Sequence, residues 1–444
     1  MLRLYNTLTA KKEEFQPLEA GQAGLYVCGP TVYDYDHVGH ARTYLNFDLL
    51  NRMLRFEGLE VKYIQNITDV GHLMNDAETG KDKIKQKAQE TGQTAAQVID
   101  YFSNAHKRDM ERLNILQPDI YPRASEHVKD IIEFVETLIQ KHYAYATSEG
   151  NVYFRVSKKA DYGKLSHRGV AEIVTGTRVE PARDKLSPAD FALWKAAPFG
   201  ATDFVWDSPW GKGFPGWHIE CSAMSRKYLG DTFDIHGAAV EHVFPHHENE
   251  IAQSEALTDK PLARYWVHTG LLTVSGQKMS KSLRNVISVE DALQDYSANE
   301  LRLAFFQTHY RRPFDYTKAN MEQGTTLRKK IFNQYRHLPE TTNQEIWTEI
   351  VEALRDDLNT PQALQVWGQN VGKINREDTD QLFSIFGLVY RKIEEDPAAQ
   401  RLAADRHVAR EKKDFLTADN RRAELEQLGY EAVDRDDIIE YVPR

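Results

Sequence analysis

Apolar positions near the N-terminus alternate between two rhythms. Gly24-Leu25-Tyr26-Val27 is a short apolar run closed by Cys28-Gly29, the pattern of a buried strand ending in a turn. Residues 40–57 (HARTYLNFDLLNRMLRFE) then place apolar side chains at helical spacing and stop before Gly58. Residues 61–67 (VKYIQNI) read as a second strand. Strand, helix and strand of this size predict a βαβ unit in a parallel sheet. Residues 82–116 read as helical with Lys-, Gln- and Glu-rich faces. The stretch 117–205 reads as an insertion: it opens at the Gln117-Pro118 break, contains the strand-like NVYFRV (151–156) and carries polar loops around 178–188. From about Asn320 the pattern is helical. Asp396-Pro397 is a candidate linker, and two charged helices are predicted after it.

The chain has 444 residues, enough for two or three domains with an ample core. Hydrophobic residues make up 41% and charged residues 27%, as in ordinary globular chains. No apolar run approaches the length of a membrane span. The N-terminal MLRLYNTLTAKKEEF has no apolar signal region, which predicts a cytoplasmic protein. The formal charge is −10, which argues against nonspecific nucleic-acid binding by the whole surface. Residues 302–336 go the other way: Arg302, Arg311, Arg312, Lys318, Arg328, Lys329, Lys330 and Arg336 face only Asp315 and Glu322. Cys28 and Cys221 are the only two cysteines, too few for a disulfide scaffold, and composition alone reads them as buried hydrophobes.

Four segments change that picture. CGPTVYDYDHVGH (28–40) ends in His37-Val38-Gly39-His40, and TVSGQKMSKSLRN (273–285) contains Lys278-Met279-Ser280-Lys281-Ser282. Between them lie GWHIECSAM (216–224) and FPHHENE (244–250). In this order they resemble the class I aminoacyl-tRNA synthetases, and within them the cysteinyl-tRNA synthetases, from Leu4 to about Asp434. The resemblance implies an α/β fold: a Rossmann-like, doubly wound parallel-sheet catalytic domain with an inserted connective peptide, then a helical anticodon-binding region. On that reading 1–116 and 206–273 are the halves of the catalytic domain and 117–205 is the insertion. Residues 274–320 form the junction with the KMSKS loop, 321–395 a helical tRNA-binding bundle, and 396–444 the C-terminal anticodon-binding segment. The basic run 302–336 becomes an expected tRNA-facing surface.

The implied reaction is attack of the L-cysteine carboxylate on the α-phosphorus of ATP, followed by transfer to tRNA(Cys). Such catalysis is mostly positioning and stabilisation of phosphate charge. By resemblance, His37 and His40 bind phosphate oxygens at a helix N-terminus, which also favours anions. Lys278 and Lys281 are the cations for the α-phosphate and departing pyrophosphate. Gly39, Glu241, Met279, Ser280 and Ser282 complete the ATP site, and Thr68, Trp217 and Gly29 the substrate pocket. The implied metal set is Cys28, Cys221, His246 and Glu250 around one zinc ion per chain, with Mg2+ accompanying ATP. Zinc binds a thiolate strongly and an uncharged alcohol poorly, which separates cysteine from serine better than the ~1–3 kcal/mol an apolar pocket offers. His246 and Glu250, four apart, share a helix face. Cys28 and Cys221 are both expected at strand ends. His247 and His218 are candidates to complete the pocket. The expected protein is a monomer with no membrane partner.

The chain departs from the family pattern in places. Arg284 stands where the family has glycine, a strained choice if that position needs φ > 0. Ala238-Ala239-Val240-Glu241 replaces a Gly-Gly-x-Asp run, leaving Glu241 on a longer arm. Residues 71–83 look like an exposed loop insertion, and the chain closes on DRDDIIEYVPR. Two other functions stay open: the cysteine ligase of mycothiol-type biosynthesis, which uses a small amine acceptor, and a non-catalytic tRNA-binding paralogue.

Overall fold

In the computed structural model the apolar run 24–27 is the second half of a strand, Gln22–Val27, that lies between two parallel neighbours. The structure describes residues 1–70, 83–169, 184–198, 203–279, 283–435 and 438–443, with side chains to residue 432. The expected insertion loop at 71–83 falls almost wholly outside these. The chain divides into two compact units, one of Met1–Phe47, Leu54–Glu111 and Leu116–Leu271, the other of Asp48–Met53, Arg112–Ile115 and Leu272–Arg444.

The first unit starts with an antiparallel pair, β1 (Arg3–Asn6) and β2 (Lys11–Glu14). The predicted βαβ unit comes next as β3 (Gln22–Val27), α1 (Val38–Phe56) and β4 (Glu60–Gln65), with β3 and β4 parallel from Gln22↔Glu60 to Val27↔Gln65. The helical stretch after it is two helices, α2 (Lys83–Thr91) and α3 (Ala95–Arg112), divided at Gly92, whose φ of 67° the preceding helix cannot continue through. In the insertion, α4 (Val128–Gln140) packs on an antiparallel sheet of β5 (Ala144–Ala146), β6 (Val152–Phe154) and β7 (Phe191–Ala196), completed by β8 (Gly213–Pro215) from beyond the expected bound at 205. Its core is Val135, Leu138, Phe154 and Trp194. The chain then forms α5 (Trp217–Leu229), β9 (Phe233–Ala239), α6 (Glu248–Thr258) and β10 (Ala263–Thr269). The main sheet is β10-β9-β3-β4, parallel throughout. The carboxyl halves of its strands are largely buried on both faces, and ligands bind beyond the carboxyl ends of strands in such sheets.

The second unit begins with the hairpin β11 (Leu272–Val274) and β12 (Gln277–Lys278). Helices α7 (Val289–Asp295) and α8 (Ala298–Phe306) open on capping boxes at Ser288 and Ser297. β13 (Phe314–Tyr316) pairs in parallel with β11. Then come α9 (Lys318–Gln334), α10 (Gln344–Arg355), α11 (Thr360–Gln369) and α12 (Arg376–Phe386). Asp396 caps α13 (Pro397–Glu411), so the Asp396-Pro397 pair is a helix start, with proline at N1. α14 (Phe415–Gln427) and an unforeseen hairpin, β14 (Tyr430–Arg435) with β15 (Ile438–Pro443), close the chain.

This unit corrects the expected basic surface. Arg302 is fully buried, paired with Asp48, and donates to the carbonyls of Phe386 (2.6 Å) and Leu113 (2.9 Å). Burial lowers its guanidinium to about 10, against the pull of Asp48. Arg328 is buried too, bonded to Glu300 (3.2 Å) and Glu431 (2.9 Å). Lys329 and Arg336 reach Glu431 and Glu394. The carboxylates that meet these cations lie far away in sequence, so the charge run alone overstates the free positive surface. Asp48→Ala strands the buried Arg302 charge and is expected to cost about 3–5 kcal/mol. Lys329→Ala, at a half-exposed pair, should cost about 0–1 kcal/mol. Urea unfolding of the two variants checks the contrast.

Candidate active site and metal centre

Helix α1 starts inside the HVGH run, and His37 caps it. The His37 Nδ1 accepts the backbone N–H groups of Gly39 (3.1 Å) and His40 (3.2 Å). Burial, reinforced by His40, lowers His37 to about 3, so at neutral pH it is the uncharged acceptor this cap requires. Its proton is then on Nε2, as a donor. The His37 and His40 rings stack with centroids 3.8 Å apart. His40 is part-exposed, and its Nδ1 lies 2.8 Å from Asp36 Oδ1. The two histidines and the Gly39 amide therefore stand at a helix N-terminus, whose partial positive charge favours an anion.

The thiol chemistry lies at the carboxyl end of the main sheet. Cys28 follows β3, and its N–H donates to the Gly237 carbonyl at 3.0 Å. Cys221 sits in the second turn of α5, not at a strand end, which corrects the expected placement: Gly216 ends the extended stretch and the helix begins at Trp217. His246 lies in the irregular turn before α6, and Glu250 in its first turn. All four are buried, and their ligand atoms lie within 4.8 Å of one another. His246 Nε2 is 3.1 Å from Glu250 Oε1, and Cys28 Sγ is 3.9 Å from the same oxygen. Zinc bonds of about 2.0–2.3 Å put tetrahedral ligands roughly 3.5 Å apart, so two thiols, an imidazole and a carboxylate here fit a zinc ion in both chemistry and spacing.

Cys28, His236, His247 and Glu250 form a second, overlapping group. His236 Nε2 holds Glu250 Oε2 at 2.8 Å, leaving Oε1 to the first group. His247 Nε2 is 3.2 Å from Cys28 Sγ, while its Nδ1 meets His268 Nε2 at 2.9 Å, and His268 Nδ1 meets Thr7 Oγ1 at 2.8 Å. His218 Nδ1 meets His246 Nδ1 at 2.9 Å. Burial pushes Glu250 well up, and burial together with Cys221 and Glu250 pushes the Cys28 thiol well up. Burial lowers His236 to about 3. With a cation among them, the Cys28 thiol and the Glu250 carboxyl would serve as anionic ligands, releasing their protons.

Of the expected pocket residues, Gly29 directly follows Cys28 and Trp217 lies against His246. A Cβ on Gly29 would lie 1.6 Å from the Asn66 carbonyl oxygen, so only glycine fits, and its N–H donates to Asn66 Oδ1 at 2.8 Å. Thr68 is buried, donates from its N–H to the Pro30 carbonyl (3.1 Å) and accepts from Asn66 Nδ2 (3.1 Å). The Trp217 ring lies 4.5 Å from that of His246. Glu241 is exposed on the turn after β9. Ala238 and Ala239 end β9 in register with His268 and Thr269, and Ala239 has ordinary extended dihedrals. Neither methyl conflicts with the backbone there.

In the other unit, Ser275 (φ 51°) and Gly276 (φ 78°) make the two-residue turn between β11 and β12, both with the positive φ of a type I′ hairpin. Asp315 Oδ1 accepts from the Gly276 N–H and the Thr273 hydroxyl, each at 2.8 Å. Lys278 ends β12, exposed, and Met279 follows; Ser280, Lys281 and Ser282 lie outside the described residues. The Asn285 amide donates to the Lys278 carbonyl at 3.2 Å, drawing the two sides of the loop together.

A family model of the "tRNA synthetases class I (C) catalytic domain" matches residues 14–326. The cysteine–tRNA ligase of Caldicellulosiruptor saccharolyticus is 40% identical, with 98% of each chain covered. That of Pyrococcus abyssi is 42% identical, covering 98% of this chain and 97% of its own. The chain belongs to the class I cysteinyl-tRNA synthetase family. A methionyl-tRNA synthetase of Mycobacterium tuberculosis bound to methionyl-adenylate shares the fold, with a TM-score of 0.59 at 14% identity over 82% of this chain and 84% of that one.

Residues the sequence did not single out complete the geometry: His236 and His268 beside the metal candidates, and Asp36 and His106 beside His40. Only tertiary pairing identifies them, since His236 and Glu250 meet across a strand–helix connection. Among the described residues no helix is long and apolar enough to cross a membrane. Arg284 has φ of 51°, in the left-handed region that favours glycine. A left-handed non-glycine residue costs about 1–2 kcal/mol. Arg284→Gly is therefore expected to leave activity equal or raised, read as the rate of adenylate formation in single-turnover experiments. A slowed rate would mean that the arginine itself contacts the nucleotide.

Proposed function

We propose that the chain is a cysteine–tRNA ligase: it activates L-cysteine with ATP, releasing pyrophosphate, and transfers the cysteinyl group to the 3′-terminal adenosine of tRNA(Cys), releasing AMP. The observation that carries this reading is the convergence of Cys28, Cys221, His246 and Glu250 at the carboxyl end of the parallel sheet. Two thiolates, an imidazole and a carboxylate would hold one zinc ion per chain, favoured over the overlapping histidine-rich set because soft thiolates select zinc. When bound, zinc supplies selective affinity for the substrate thiolate over the serine hydroxyl. His236 and His218 orient Glu250 and His246 through their other atoms. Gly29, Thr68 and Trp217 border the substrate. His37, Gly39 and His40 bind phosphate oxygens, Lys278 and Lys281 stabilise charge on the α-phosphate and pyrophosphate, and Mg2+ accompanies ATP. Met279, Ser280 and Ser282 line the ATP loop, and Glu241 is assigned to the ribose. Residues 321–444 supply the tRNA-binding helices and the C-terminal segment, and the protein acts as a cytoplasmic monomer.

The small-amine ligase is the second reading. Against it, the matched relatives named cysteine–tRNA ligase run through the C-terminal part of the chain. Elemental analysis should find one zinc per chain, largely lost in Cys221→Ser together with cysteine-dependent ATP–pyrophosphate exchange. A metal-free preparation retaining full exchange would refute the zinc assignment. Lys278→Ala should slow adenylate formation by about 2–4 kcal/mol, as for removal of an oxyanion donor, with little change in cysteine affinity. Finally, the purified protein should esterify tRNA(Cys), with a KM for tRNA that rises steeply with salt. Coupling of cysteine to an amino sugar without esterification of tRNA would establish the other ligase.

A further inference from the structure

Asp36, immediately before the HVGH run, sits at the centre of a buried trio. Its Oδ1 is 2.8 Å from His40 Nδ1 and its Oδ2 is 2.5 Å from His106 Nδ1 on α3. The aspartate and His106 are buried, while His40 is part-exposed. Burial alone would raise the Asp36 carboxyl, but His106 and then His40 outweigh it and hold it well below the usual carboxylate range. An ionised carboxylate only accepts hydrogen bonds, so both facing nitrogens must be N–H donors. With its Nδ1 proton given to Asp36, neutral His40 has a bare Nε2, which repels a phosphate oxygen. Only the imidazolium can donate from Nε2 while keeping the Asp36 bond. His37 is the opposite case: its Nδ1 accepts two backbone amides, so it donates from Nε2 while uncharged.

We propose that Asp36 is a positioning residue for adenylate formation: it orients His40 and stabilises it as an imidazolium against the ATP phosphates, while His37 serves as the neutral donor beside it. His106 closes the far side of Asp36, and its buried Nε2 has no hydrogen-bond partner among the described residues. The other titratable groups facing the trio are Tyr44 from α1, 5.4 Å from His106 and 6.4 Å from His40, and Tyr121, 6.1 Å from His106 and capped by Lys107. His37 and Asp34 face it from the loop. Burial raises both tyrosines, so they stay neutral through the working range, as does His37.

The inference rests on the proposed ATP-dependent activation of cysteine, and the test separates the two. Wild-type, Asp36→Asn and Asp36→Glu proteins are compared for cysteine-dependent ATP–pyrophosphate exchange against pH, with zinc content and melting temperature as controls. Asparagine keeps the shape and loses the charge. At pH 8 its kcat should fall about 10- to 100-fold, short of the ~10²–10³ lost when an oxyanion donor itself is removed. Its KM for cysteine should hold, and the alkaline fall in rate, where the imidazolium loses its proton, should move to lower pH. Glutamate should restore the alkaline fall toward the wild-type position. A merely structural role would lower the melting temperature without moving the pH profile, and an unmoved profile in a folded Asp36→Asn overturns the inference while leaving the ligase reading intact. A wild-type protein without cysteine-dependent exchange would instead overturn the ligase reading. Should Asp36→Asn fail to fold, 15N spectra of histidine-labelled wild-type protein with a non-hydrolysable ATP analogue decide. A signal removed by His40→Gln should show both ring nitrogens protonated at pH 7.5, and a single protonated nitrogen overturns the inference.

Discussion

The catalytic unit depends on how closely three pieces of backbone approach at the carboxyl end of its sheet. Gly237 in β9 faces Phe47 of α1 so tightly that a Cβ would lie 2.2 Å from the ring, and its carbonyl accepts the Cys28 N–H. Gly29 meets the Asn66 carbonyl in the same way from the β4 side. These contacts set the register of β3 between its neighbours. The register places Cys28 at the lip of the sheet, and the loop after it delivers His37 to the start of α1. A methyl group at Gly237 would displace α1 through Phe47, and one at Gly29 would push against the Asn66 backbone, moving the helix N-terminus and the thiol.

Polar groups gathered in so dry a place must satisfy one another. The histidines around Glu250 do this in layers: His236 on one carboxylate oxygen, His246 on the other, and a chain from Cys28 through His247 and His268 to Thr7. Each imidazole offers one donor and one acceptor when neutral, so the network fixes which nitrogen of each ring faces the ligand atoms. Burial drives Cys28, His236, His247, Glu250 and His268 to their uncharged forms, so the cluster tolerates desolvation alone and gains most from a cation. The same logic runs through the helical unit, where Arg302 and Arg328 are buried only because Asp48, Glu300 and Glu431 come to meet them.

Much of this is legible from local pattern. Helix and strand periods locate the βαβ unit, since the spacing of apolar residues directly reflects which face is covered. The four motifs name the chemistry and the metal candidates, and the departure at Arg284 marks a position in need of positive φ. The period does not reveal the break at Gly92 or the closing hairpin, and Cys221, expected at a strand end, rides on a helix. Gly216 and the short GFP strand before it leave no periodic signal long enough to separate the two.

The sequence alone determined the family, the βαβ unit and the candidate site residues, because these depend on motifs and on spacing within a few turns or strands. Tertiary structure decided which groups are charged and which way each ring faces. Asp36 and His106 are 70 residues apart, His236 and Glu250 are 14 apart across a strand–helix connection, and Asp48 and Arg302 are 254 apart. Burial and partnership are properties of neighbours in space, and a charge run such as 302–336 carries no mark of the carboxylates that will neutralise it.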